Sequence, residues 1–187
     1  MNKVKYKIIA IVVFLTVISC GKDKKEPVQK KSENTENHIE GSVDLNHTNS
    51  TSNVVFADET MNSIYSQYLL IKGALVNSNA KTVQKEARKL ETVIDESLDA
   101  KQLKATIKLI ALTKEIKKQR DFFVTLTAEI EKLISNATIT SGEIYKQFCP
   151  MAFEGDGGYW LSDSKEVRNP YFGNSMLKCG SVKETLQ

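Results

Sequence analysis

The chain has 187 residues, with 26 Lys and Arg against 23 Asp and Glu for a net charge of +3. The excess rests on Lys3, Lys5 and Lys7, which precede an apolar run over residues 8–18; without them the charges balance. A balanced chain with no basic cluster interleaved with aromatics lacks the electrostatic footprint of a nucleic-acid-binding protein, and that class is excluded.

A basic start and a short apolar run that is too short to span a bilayer read as a secretory signal segment over residues 1–19. It ends in Leu15-Thr-Val-Ile-Ser-Cys20-Gly21, a small residue before a cysteine, which is what a lipoprotein signal peptidase requires. The expectation is a lipoprotein acylated (palmitate) at Cys20 and attached to the bilayer by lipid, in the cell envelope. No retention charge directly follows Cys20, so the outer membrane is favoured, with periplasmic or outward facing left open. Residues 20–57 are rich in Lys, Glu, Asn, Ser and Thr and poor in large apolar groups, a composition that does not offset the entropy of ordering. They read as the lipidated cysteine and a disordered tether.

Residues 58–187 suit one domain with one core. Met61, Ile64, Tyr65, Tyr68, Ile71 and Leu75 recur at three and four and predict a helix over residues 58–77. Ser78 or Asn79 then caps a second helix, with Val83, Ala87, Leu90 and Ile94 inward and an end near Ser97. Residues 101–136 hold neither Gly nor Pro, and their pattern loosens over residues 114–121, where a break is expected, although one kinked helix also satisfies it. The fold class expected is mainly α: an antiparallel three- or four-helix up-down bundle with an irregular Cys/Met/aromatic lobe over residues 137–187 that has room for short strands. Within that lobe residues 143–149 suit a strand or a helix end, and residues 162–167 a short helical turn.

The lobe holds Cys149-Pro150-Met151 and Met176-Leu-Lys-Cys179. A spacing of three places Met176 and Cys179 on one side of a helical turn, and Pro150 holds an extended kink that lets Cys149 and Met151 project together. Thiolate and thioether form a soft donor set that selects Cu(I) or a similar ion. Blue-copper chemistry is excluded because both histidines, His38 and His47, fall in the tether, and paired Cys-x-x-Cys zinc knuckles are absent. The other reading is a Cys149–Cys179 disulfide, worth roughly 3.5 to 4 kcal/mol in the chain-entropy model, with Met151 and Met176 filling gaps in the core. Trp160, Asn169 and Tyr171 lie between the two sulfur pieces and form a possible shell around a site. With no Cys-x-x-Cys pair, no histidine in the fold and no Gly-rich phosphate loop, an enzyme is not expected.

Taken together, Cys149-Pro-Met-Ala152, Trp160-Leu161, Asn169-Pro-Tyr-Phe-Gly173 and Met176-Leu-Lys-Cys-Gly180, behind Tyr68-Leu-Leu-Ile-Lys-Gly-Ala-Leu75 and Gln119-Arg-Asp-Phe-Phe123, resemble a Bacteroidetes domain of unknown function over residues 58–184. That family occurs as stand-alone envelope lipoproteins and as an extra domain on periplasmic adaptor subunits of copper and other heavy-metal efflux pumps. The resemblance implies metal handling at Cys149, Met151, Met176 and Cys179, with an efflux adaptor or a metallochaperone as partner and no organic cofactor. The resulting expectation is a lipoprotein that binds a soft metal for efflux or sequestration. The alternative is a disulfide-stapled interaction module with no catalytic role.

Overall fold

Asp58 accepts the Thr60 N–H at 2.7 Å and so opens the first helix, α1 (Glu59–Val76), whose Ile64, Tyr68, Ile71 and Leu75 are fully buried. Placing each such side chain in the core contributes about 1.5–3 kcal/mol relative to exposure. The computed structural model describes residues 43–94 and 100–187. The expected signal segment, Cys20, the tether as far as residue 42 and the expected helix end near Ser97 lie outside the described residues.

α1 closes in a Schellman turn: Asn79 N–H donates to Ala74 O and Ser78 N–H to Leu75 O, with Ser78 at φ 53°. Asn79 then accepts from Thr82 N–H at 3.1 Å and starts α2 (Ala80–Val93), so it, rather than Ser78, is the cap. The long stretch that follows is two helices, α3 (Lys101–Leu112) and α4 (Ile116–Ser135). The break falls at residues 113–115, at the near edge of the expected interval. Thr113 there bonds back to the end of α3, and buried Gln119 donates to its carbonyl at 2.7 Å. Each helix packs on the next, and α1 also meets α4.

Among the described residues, five short strands complete a mainly α fold with small antiparallel sheets. β1 (Val55–Phe56) pairs with β2 (Ile139–Ser141). β3 (Ile144–Cys149) is the middle strand of a second sheet, flanked by β4 (Gly158–Ser162) and β5 (Ser181–Leu186). The strand alternative for residues 143–149 is therefore the one realised. The short helical turn expected over residues 162–167 is not found. Residues 158–162 are strand, and 3₁₀ turns fall on either side of the expected span, at Phe153–Gly155 and Gly173–Met176. The adjacent aromatics Tyr159 and Trp160 favour the extended chain there.

The ordered chain also begins before Asp58. Residues 43–57, expected within the tether, bond along the fold: Leu45 N–H to Asn77 Oδ1 at 2.8 Å, Asn77 Nδ2 to Asp44 Oδ1 at 2.6 Å, Asn49 N–H to Glu166 Oε1 at 2.7 Å, and Arg168 Nε to His47 O at 2.9 Å. Phe56 is buried. The physical reason is that polar residues can be ordered by fixed polar partners, which composition does not register.

The helices and the second sheet are joined by Tyr68. Its hydroxyl accepts the Leu161 N–H at 2.9 Å and shares a bond of 2.9 Å with Thr127 Oγ1, while its ring stacks on Phe123 at 5.2 Å. One side chain thus ties α1 to α4 and β4, and so fixes where the C-terminal lobe sits.

Candidate metal centre

Antiparallel register explains why two cysteines thirty residues apart meet. β3 pairs with β5 so that Phe148 faces Ser181, which sets Cys149 at the end of β3 beside the turn that leads into β5. Cys179 ends that turn, and the two Sγ atoms lie 2.6 Å apart. Cys149 is fully buried; Cys179 is partly exposed. Its thiol is held above the ordinary cysteine value first by the hydrogen bond with Cys149 and then by desolvation, while the Met151 N–H acts in the opposite sense.

The methionines stand at the rim. Met176 closes the 3₁₀ turn, its carbonyl accepts the Cys179 N–H at 3.0 Å, and its side chain is 41% exposed. Met151 follows the kink at Pro150 and is 58% exposed. Core filling is therefore not what these methionines do, because an apolar side chain without a binding task gains by burial. The backbones of both approach Cys179, one through the Met151 N–H and the other through the Met176 carbonyl.

The three shell residues have separate tasks. Asn169, fully buried, accepts the Tyr171 N–H at 2.8 Å and the Phe172 N–H at 3.3 Å, while its Nδ2 donates to Cys179 O at 2.8 Å. It fixes the Asn-Pro-Tyr-Phe turn and the cysteine together. Tyr171 donates its hydroxyl to Tyr159 O and meets Trp160 edge-on at 5.8 Å. Trp160 lies beneath the cysteine turn: a Cβ at Gly180, whose φ is +138°, would meet Trp160 Cη2 at 2.8 Å and Phe148 O at 2.9 Å. Gly180 thus lets the turn close over the indole.

Arg120 and Lys72 have tasks that the motifs containing them do not reveal. Arg120 donates through Nε to Pro170 O at 2.9 Å and through Nη2 to Leu75 O at 3.1 Å and Ser78 Oγ at 2.9 Å, clamping the Asn169–Gly173 turn to the end of α1. Gly173 completes the clamp, since a Cβ there would meet Ser78 Oγ at 2.7 Å. Lys72 is completely buried and donates to Ser162 Oγ at 3.3 Å; burial lowers its amine to about 8. Its position was visible on the inner face of α1, four after Tyr68 and three before Leu75.

What the fold and the site define is a mainly α domain that carries a paired-thiol site on a small antiparallel sheet. Residues 64–142 match the model of a family described as a protein of unknown function, DUF3347, a span that covers α2, α3, α4 and β2 and ends before the sulfur residues. No curated protein and no solved structure matches the chain. Among the described residues no helix is long and apolar enough to cross a membrane.

Proposed function

We propose that this chain is an envelope lipoprotein that captures a soft metal ion, Cu(I) first among them, with the thiolates of Cys149 and Cys179 as principal ligands and the thioethers of Met151 and Met176 as rim donors. The observation that carries the reading is the exposure of both methionines beside a thiol pair. Exposed methionines whose backbones border a thiol pair suit the capture of a soft ion. The residues fit such an ion with modest movement. Metal–thiolate bonds of about 2.3 Å in a tetrahedral site separate the sulfurs by about 3.8 Å, so the pair must open by about 1 Å. Cys179, at the end of a partly exposed turn, is the ligand placed to move.

Cys20 acylation would anchor the domain, and an efflux adaptor or metallochaperone would exchange the ion with it. Sequential packing of the four helices supports the up-down bundle as its architecture. A second reading has its own observation. The contact of the two sulfurs favours a disulfide staple on an interaction module, non-catalytic in either case.

The readings separate in one experiment: thiols are counted in the purified protein, which is then reduced and titrated with Cu(I) against a competing chelator, beside the Cys149→Ser, Cys179→Ser variant. Metal capture predicts that Cys149 and Cys179 both react as thiols once the protein is denatured, and a Cu(I) affinity at least about a hundred-fold above the variant. Equal affinity in the two proteins would leave only the staple.

A further inference from the structure

A cleft of about 550 Å³ opens beside the sulfur site. That size falls within the range of small-molecule sites. Its floor combines half-buried Arg120 with Ala152, Phe153, Tyr171 and Phe172, and Met151 is common to the cleft and to the proposed metal site.

Arg120 is the unusual member. Its Nε and Nη2 are held by three neutral oxygens, so the guanidinium is fixed in place. Among the described residues no carboxylate pairs with it, and neither Nη1 hydrogen has a partner. A guanidinium partly removed from water keeps a field that salt screens less than that of an exposed charge, and its Nη1, held in place by the bonds at Nε and Nη2, offers a charged donor to a carboxylate.

The aromatic wall points the same way. Phe153 and Glu154 both take positive φ, 52° and 59°, which side-chain-bearing residues adopt at a cost. The first of these sets the Phe153 ring edge-on to Tyr171 at 5.1 Å. Strained backbone therefore builds one wall of this cleft. Lys117 adds an exposed cation at the rim, where Asp121 and Glu154 are also exposed and screened by solvent. A charged floor with a mixed rim favours a single negative charge over several.

We propose that this cleft binds a small organic monoanion with a flat apolar body, its carboxylate on Arg120 Nη1 and its body against Phe153 and Phe172. Met151 borders both sites, but none of the four sulfur ligands supplies the charge, so the cleft does not depend on the metal reading.

Benzoate is the probe and benzamide its neutral isostere, both followed by saturation-transfer NMR on the purified full chain. The same measurement is made on Lys117→Glu, an exposed substitution that leaves the core untouched, on Arg120→Lys, which keeps the charge but loses the fixed Nη1 donor, and on the Cys149→Ser, Cys179→Ser variant. Benzoate is expected to bind at least about ten-fold more tightly than benzamide. Lys117→Glu and Arg120→Lys should each weaken it several-fold, and the double cysteine variant should bind it unchanged. Equal binding of the two probes, no transfer at millimolar benzoate, or indifference to Lys117→Glu would overturn the assignment.

Discussion

Replacing Lys72 by Met tests the physics of the core most sharply. Lys72 lies wholly inside the fold with one neutral hydroxyl as hydrogen-bond partner, and burial lowers its amine to about 8 from the ordinary 10.5. Nearby Asp163 and Asp44 pull the other way, and Arg168 adds to the lowering. The folded value lies below the unfolded one, so between about pH 8 and 10.5 the unfolded chain binds the extra proton and stability rises with pH. At 1.36 kcal/mol per pH unit the whole interval is worth about 3 kcal/mol, and the part up to pH 9.5 about 2 kcal/mol. Tyr65, Tyr68, Tyr171 and Cys179, all raised in the fold, act in the opposite sense at alkaline pH. Both proteins share those groups, so the difference between them isolates Lys72. Urea denaturation of wild type and Lys72→Met at pH 7, 8, 9 and 9.5 should therefore show the wild type gaining about 2 kcal/mol on the variant across the series. Near pH 7 the variant should equal or exceed the wild type, because a buried charge gives way to a methionine of similar volume. A difference constant to within about 0.5 kcal/mol over that range would refute the reasoning.

Asn169→Ala leaves the Cys179 carbonyl and two turn N–H groups without their partner, which costs about 1–3 kcal/mol; chemical denaturation measures the loss, and alkylation of Cys179 in the reduced protein should quicken. Gly180→Ala drives a methyl group against Trp160, the chain's single tryptophan, and should destabilise by about 1–3 kcal/mol with a change in indole emission; an unaltered spectrum and melting point would argue against the close approach. Tyr68→Phe strands the buried Leu161 N–H and should cost about 1–3 kcal/mol in urea, with a larger effect on unfolding than any exposed Tyr-to-Phe change.

Helix positions were legible because Ile64, Tyr68, Ile71 and Leu75 repeat with the period of the helix and have no competing signal. The two-residue strand β1 and the ordered stretch from Val43 were not, since Asp44, Asn49 and Ser52 gain their order from Asn77, Glu166, Asp163 and Glu143, partners distant in sequence. For the sulfur site, the residue types were visible and the meeting of Cys149 with Cys179 was not: it depends on the register of β3 with β5, which no local pattern sets. Arg120 was hidden for a similar reason. Inside α4 it reads as one more solvated charge, and only the folded chain brings Leu75, Ser78 and Pro170 to it.

The central claim is a soft ion held by sulfur, and X-ray absorption at the copper edge of the reduced, Cu(I)-loaded protein tests it most directly. Capture by the four sulfurs predicts a first shell of sulfur alone, with fewer sulfurs in Met151→Leu and Met176→Leu and no retained copper in the double cysteine variant. A shell dominated by nitrogen or oxygen, or copper retained equally without Cys149 and Cys179, would contradict it.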